Sequence, residues 1–100
     1  MPKLYCKRVT FYSQEDEESF FYWINNINCI RKFDGEGDTI ILHIKTRNIS
    51  NVCLRELLAL FHRYKIDMKQ LSQFHNDSNR DWFFENKSAY WHRKVFQIDK

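Results

Sequence analysis

The chain has 100 residues, 43% of them apolar and 17% aromatic, and its 16 Lys and Arg outnumber 13 Asp and Glu for a net charge of +3. That length makes one domain, spanning 1–100, and the aromatic share lets a modest core close without disulfide or metal, because each Phe, Tyr or Trp buries a large area. No apolar run reaches the length of a membrane span, and the opening residues Met-Pro-Lys-Leu-Tyr-Cys lack the apolar stretch of a secretory signal, so a cytoplasmic location with no membrane partner is expected.

From Lys3 to Tyr12, Leu4, Cys6, Val9 and Phe11 interleave with Lys7, Arg8 and Thr10. This pattern predicts a strand with one irregular step near Lys7-Arg8. Ser13 precedes Asp16 at capping-box spacing, and the acids Glu15 to Glu18 suit the positive end of a helix dipole. Phe20, Phe21, Trp23, Ile24 and Ile27 recur at helical spacing and give that helix an aromatic inner face. Asn25, Asn26 and Asn28 are poor helix formers, and Cys29 to Phe33 reads as a second strand.

Asp34-Gly35-Glu36-Gly37-Asp38 places two glycines able to take positive φ between apolar runs, a hairpin signal. A third strand, Thr39 to Lys45, sets Ile40, Leu42 and Ile44 on one face and Ile41, His43 and Lys45 on the other. Ser50 caps a helix from Asn51 to about Tyr64 with the stripe Leu54, Leu57, Leu58, Phe61, and Asp67 caps a shorter one carrying Met68, Leu71 and Phe74. Asn76 to Asn79 reads as a loop, after which the aromatic segment Trp82 to Phe96 is too apolar to hang free. The order β-α-β-β-α-α plus this segment predicts an α+β fold, a small antiparallel sheet of about three strands covered by helices.

The chemistry-bearing residues form no diagnostic pattern. Cys6, Cys29 and Cys53 are odd in number and lack Cys-x-x-Cys spacing, which disfavours a disulfide framework or a zinc site and predicts buried or half-buried free thiols. His43, His62, His75 and His92 include no pair at metal-ligand spacing, so no catalytic residue, metal or cofactor is assigned and no small-molecule substrate is expected. Neither glycine opens a phosphate-binding loop, and the Asp34 to Asp38 turn is too short for an EF-hand. Both Asn-x-Ser tripeptides, at Asn48 and Asn86, matter only in a secreted chain.

Two charged groups remain as candidate partner-binding residues. One is the acidic turn Asp34, Glu36 and Asp38, placed to steer a basic partner; the other is the trio His92, Arg93 and Lys94, expected to face water. With Lys100, the trio makes a basic tail far in sequence from the acidic run. The segment's rings and cations also fit a small RNA- or DNA-binding module, although the mild charge without a dense basic stripe disfavours nucleic acid.

The run Leu54-Arg55-Glu56-Leu57-Leu58-Ala59-Leu60-Phe61-His62-Arg63-Tyr64-Lys65-Ile66-Asp67-Met68-Lys69-Gln70-Leu71, with Asp81-Trp82-Phe83-Phe84-Glu85-Asn86-Lys87 and Tyr90-Trp91-His92-Arg93-Lys94-Val95-Phe96, resembles a family of small bacterial immunity proteins. These belong to contact-dependent growth-inhibition and related polymorphic toxin systems. The resemblance spans roughly the carboxy-terminal half and extends loosely to Gly35-Glu36-Gly37-Asp38. It implies a non-enzymatic protein that binds one cognate toxin C-terminal domain, often a nuclease, and blocks its active site or substrate access. Inhibitors of basic nucleases are frequently acidic, and the slight positive charge of this chain departs from that expectation.

Overall fold

A computed structural model describes residues 2–96. In chain order the elements are β1 (Lys3–Lys7), α1 (Gln14–Asn25), β2 (Ile30–Glu36), β3 (Thr39–Ile44), α2 (Asn51–Arg63), a 3₁₀-helix (Met68–Phe74), a π-helical turn (Arg80–Phe84) and α3 (His92–Phe96). The strands form one antiparallel sheet in the order β1-β3-β2, with helices over its apolar face, so the expected α+β architecture is present.

Alternation decides which side is covered. Leu4, Cys6, Leu42 and Ile44 point inward and are fully buried, while Tyr5, Ile41 and His43 share the opposite, half-wet face. The irregular step near Lys7-Arg8 ends β1 outright. Arg8 takes φ 53°, and its N–H turns to donate to the Asp38 carbonyl at 2.9 Å. Residues 9–12 therefore leave the sheet, and Phe11 packs edge-on against Phe20, ring centroids 5.4 Å apart.

β2 runs longer than the sequence pattern indicates, because Asp34, Gly35 and Glu36 pair in register with Ile41, Ile40 and Thr39. The connection shrinks to Gly37-Asp38, and of the two glycines only Gly37, at φ 63°, adopts the left-handed backbone that a two-residue hairpin loop demands. Every residue of β2 from Arg31 to Glu36 is exposed, and among the described residues no hydrogen bond from another segment reaches its outer edge.

The predicted caps are in place. Ser13 and Ser50 accept from the N–H groups of Asp16 and Cys53, each at 3.1 Å, and Asp67 accepts from Lys69 N–H at 3.0 Å. Asp16 reaches back past the cap to Tyr12 N–H, 3.1 Å away. The segment after Asp67 winds as a 3₁₀-helix, burying Met68, Leu71 and Phe74 as its spacing requires.

Two aromatic groups complete the core. Phe20 lies among Phe11, Phe21 and Tyr64, and Phe83 meets Trp82 and Phe96 at 5.6 and 4.9 Å between ring centroids. The predicted loop at 76–79 is a satisfied polar knot: buried Asn79 donates to Phe74 C=O at 2.8 Å and exchanges hydrogen bonds with Asn76 in both directions.

β1 is an edge strand, and a side chain covers it. Tyr5 N–H donates to Gln70 Oε1 at 2.7 Å, and Gln70 Nε2 donates to Tyr5 C=O at 2.8 Å and to Asp67 C=O at 2.9 Å. A carboxamide thereby substitutes for one peptide unit of a fourth strand. Gln70→Ala is expected to lower stability in urea unfolding by about 2 kcal/mol, the sum of two net hydrogen bonds. It should also raise light scattering at high protein concentration as the edge is bared.

Candidate functional site

The two groups singled out from sequence are each split by the fold. Asp34 stands in β2, where its carboxylate meets His43 Nε2 at 2.6 Å across the sheet surface. Asp38 turns to Arg8, whose Nε donates to it at 3.2 Å, while Glu36 is exposed opposite Thr39. The three carboxylates do not converge, and among the described residues no three His, Cys, Asp or Glu side chains are grouped to hold a metal ion.

In α3, Arg93 and Lys94 are exposed, as expected for residues facing water, whereas His92 is half-buried. Its Nε2 lies 2.7 Å from Phe84 C=O; a carbonyl only accepts, so that nitrogen carries the proton. Lys94 Nζ approaches His62 Nδ1 at 3.4 Å. Around them Phe83, Trp91 and Val95 are buried, so the segment closes the core, and Phe84 and Tyr90 remain as its exposed rings. Lys100 lies outside the described residues.

The four histidines do not gather into one group, although His75 and His92 share two aromatic neighbours. His62 stacks near Tyr90, His75 and His92 pack on Phe84 and Phe96, and His43 sits on the sheet. His43 and Asp34 form an imidazole–carboxylate pair, but the residues in register with His43 are Lys3 and Lys32 and neither offers a hydroxyl or thiol to activate. All three cysteines are free and buried. Burial pushes the thiols of Cys6 and Cys29 up to about 12, with the neighbouring Cys53 thiol adding to the effect at Cys29.

What the fold does assemble is a continuous belt of shallow depressions. On α1, Glu15, Glu18, Ser19 and Tyr22 line the first, of about 870 Å³. Glu15 and Ser19 continue into a second with Tyr12 and Arg63, which lead to a third that adds Arg8, Tyr64 and Lys65. Lys65 then opens onto a fourth, of about 670 Å³, lined by Tyr5, Lys7 and Lys69, and onto a fifth that reaches His62 and Lys94. The belt runs from acidic to basic, and exposed tyrosines recur along it: Tyr22 at 73%, Tyr12 at 82% and Tyr5 at 42%.

Of the residues chosen from sequence, only Lys94 lines this belt. The belt's other cations escaped because Lys7-Arg8 lie more than half the chain away from Arg63, Lys65 and Lys69, and no local spacing marks them as neighbours. The one local sign is the acidic run on α1, read from sequence as a dipole partner.

Against protein-family models, curated proteins and solved structures, the chain has no match.

The buried thiols set an alkaline limit. Unfolding returns Cys6 and Cys29 toward 9.0, so above that pH the unfolded chain loses protons that the folded chain keeps. Stability contributed by the neutral buried thiols is complete below pH 9.0 and falls as pH rises toward about 12. The expected slope approaches roughly 1.4 kcal/mol per pH unit for each thiol, measured by urea unfolding across alkaline pH, and Cys6→Ala should make it shallower. At about pH 8 both thiols should resist an alkylating reagent until denaturant is added.

Proposed function

We propose that this protein is an immunity protein: a cytoplasmic, non-enzymatic inhibitor that binds the C-terminal toxin domain, a nuclease, of a contact-dependent growth-inhibition system. Binding occludes the toxin's active site or its path to substrate. The resemblance of the carboxy-terminal half to such proteins supports this reading, and one observation carries it further: the acidic, tyrosine-bearing face of α1. Glu15 and Glu18 flank an open depression in which Tyr22 is largely exposed, and Trp23 is held beside it by a 2.8 Å hydrogen bond from its Nε1 to Glu56.

Such a face suits a basic partner. Carboxylates on a capped helix present fixed negative charge that steers encounter, and an aromatic ring at the centre supplies anchoring area at small entropic cost. The acidity missing from the whole chain is concentrated locally, since four consecutive acids occupy the first turns of α1. That concentration reconciles the net charge of +3 with binding to a cationic nuclease.

The test is co-expression with the C-terminal domain of a contact-dependent growth-inhibition toxin, sought in the reading frame upstream. Growth should be restored and the two chains should co-purify. The variant Glu15→Lys/Glu18→Lys is expected to weaken the complex at least roughly tenfold, with the far-ultraviolet spectrum unchanged. Equal affinity of the variant would remove α1 from the interface, and failure of the unaltered chain to protect cells would remove the immunity reading itself.

A further inference from the structure

The basic end of the belt has a separate use. Folding brings Lys7, Arg8, Arg63, Lys65, Lys69 and Lys94 around three adjoining depressions of about 670, 360 and 340 Å³, and Lys65 borders all three. Against these six cations stand three carboxylates: Asp16 and Asp67, which accept backbone N–H groups from Tyr12 and Lys69, and Asp38, which pairs with Arg8 at 3.2 Å. Positive charge therefore prevails there although the cations are scattered in sequence.

Rings share these depressions with the cations. Tyr5 lines one with Lys7, Lys65 and Lys69, and Tyr12 lines the next with Arg8, Arg63 and Lys65. A group of cations beside exposed rings matches a single strand of nucleic acid, whose phosphates are neutralised while unstacked bases lie on the rings. A duplex keeps its bases stacked inside and would leave the tyrosine rings without a stacking partner. An acidic polypeptide would use the cations but leave the tyrosine faces without their natural partner.

Backbone geometry points the same way. Arg8 and Lys65 are the two non-glycine residues with positive φ among those described, at 53° and 57°. Each stands at a position that glycine would occupy with less strain, and each places a cation on this surface.

We infer that this surface binds single-stranded nucleic acid, with Lys7, Lys65 and Lys69 on the phosphates and Tyr5 and Tyr12 beneath the bases. The site is independent of the toxin-binding face of α1.

The probe is a fluorescein-labelled oligouridylate of about 12 nucleotides, a length within the usual single-strand site size, followed by anisotropy. If about four phosphates are neutralised, affinity should fall roughly 50-fold between about 50 and about 200 mM salt. The variant Lys7→Gln/Lys65→Gly/Lys69→Gln should bind at least roughly tenfold more weakly, whereas Lys45→Gln/Arg47→Gln/Lys87→Gln, which removes the same charge elsewhere, should lose far less. Lys65→Gly alone relaxes its backbone and serves as the single-site variant should the triple one fold poorly. Tyr5→Ala should weaken binding where Tyr5→Phe does not.

Absence of binding at the lower salt, or equal losses in the two triple variants, overturns the inference. Stronger competition by polyglutamate than by unlabelled oligouridylate also overturns it and assigns the surface to an acidic protein. Glu15→Lys/Glu18→Lys, which adds positive charge beside Tyr12 and Arg63, should not weaken oligouridylate binding, whereas it weakens the toxin complex, so the two results stay separate.

Discussion

One carboxamide, bonded twice to β1 and once within its own segment, ties the 3₁₀-helix to the edge of the sheet. Gln70 gives its oxygen to Tyr5 N–H and its two amide hydrogens to the carbonyls of Tyr5 and Asp67, so both donors and the acceptor are used. The 3₁₀-helix is thereby fixed along the edge of β1, and Lys65 and Lys69 come to border Tyr5 and Lys7. Apolar contacts alone are indifferent to small slides; directional bonds to one peptide unit are not. The basic end of the belt owes its geometry to this side chain.

The remaining framework follows from burial on a single side. A three-stranded sheet offers one face to a core, and α1, α2 and the carboxy-terminal segment supply enough ring area to fill it. With the aromatic groups around Phe20 and Phe83 inside, the charged residues are free to separate over the surface. Acid gathers where α1 begins, at the positive end of its dipole, and His62 and Arg63 gather where α2 ends, at the negative end. The polarity of the belt is thus partly a by-product of two helix dipoles whose opposite ends meet near Tyr12, Asp16 and Arg63.

Local rules made much of the fold legible. Ser13, Ser50 and Asp67 announced their helices, and the period of Leu54, Leu57, Leu58 and Phe61 matched the buried face of α2. Legibility failed where tertiary pairing overruled composition. Asp34 to Glu36 look like turn residues, but their backbones pair with β3 because Gly37-Asp38 suffices to reverse the chain. Asn76 to Asn79 form the loop their polarity indicates, and what composition does not show is the burial of Asn79, satisfied by Phe74 and Asn76. The site was least legible of all: carboxylates adjacent along the turn diverge toward His43 and Arg8, and cations remote along the chain converge on Lys65.

Gln70 masks only the Tyr5 peptide unit of β1, yet among the described residues no backbone hydrogen bond from another segment covers the outer edge of β2 from Arg31 to Glu36, so β2 is the more open margin of the sheet. Polymerisation by strand addition needs two such margins per subunit, one to receive and one to extend. With β1 partly masked, addition at β2 is favoured, and when the neighbour there is its own twin the product closes on a two-fold axis. The carboxamide on the opposite edge thus hinders growth into fibrils by this route.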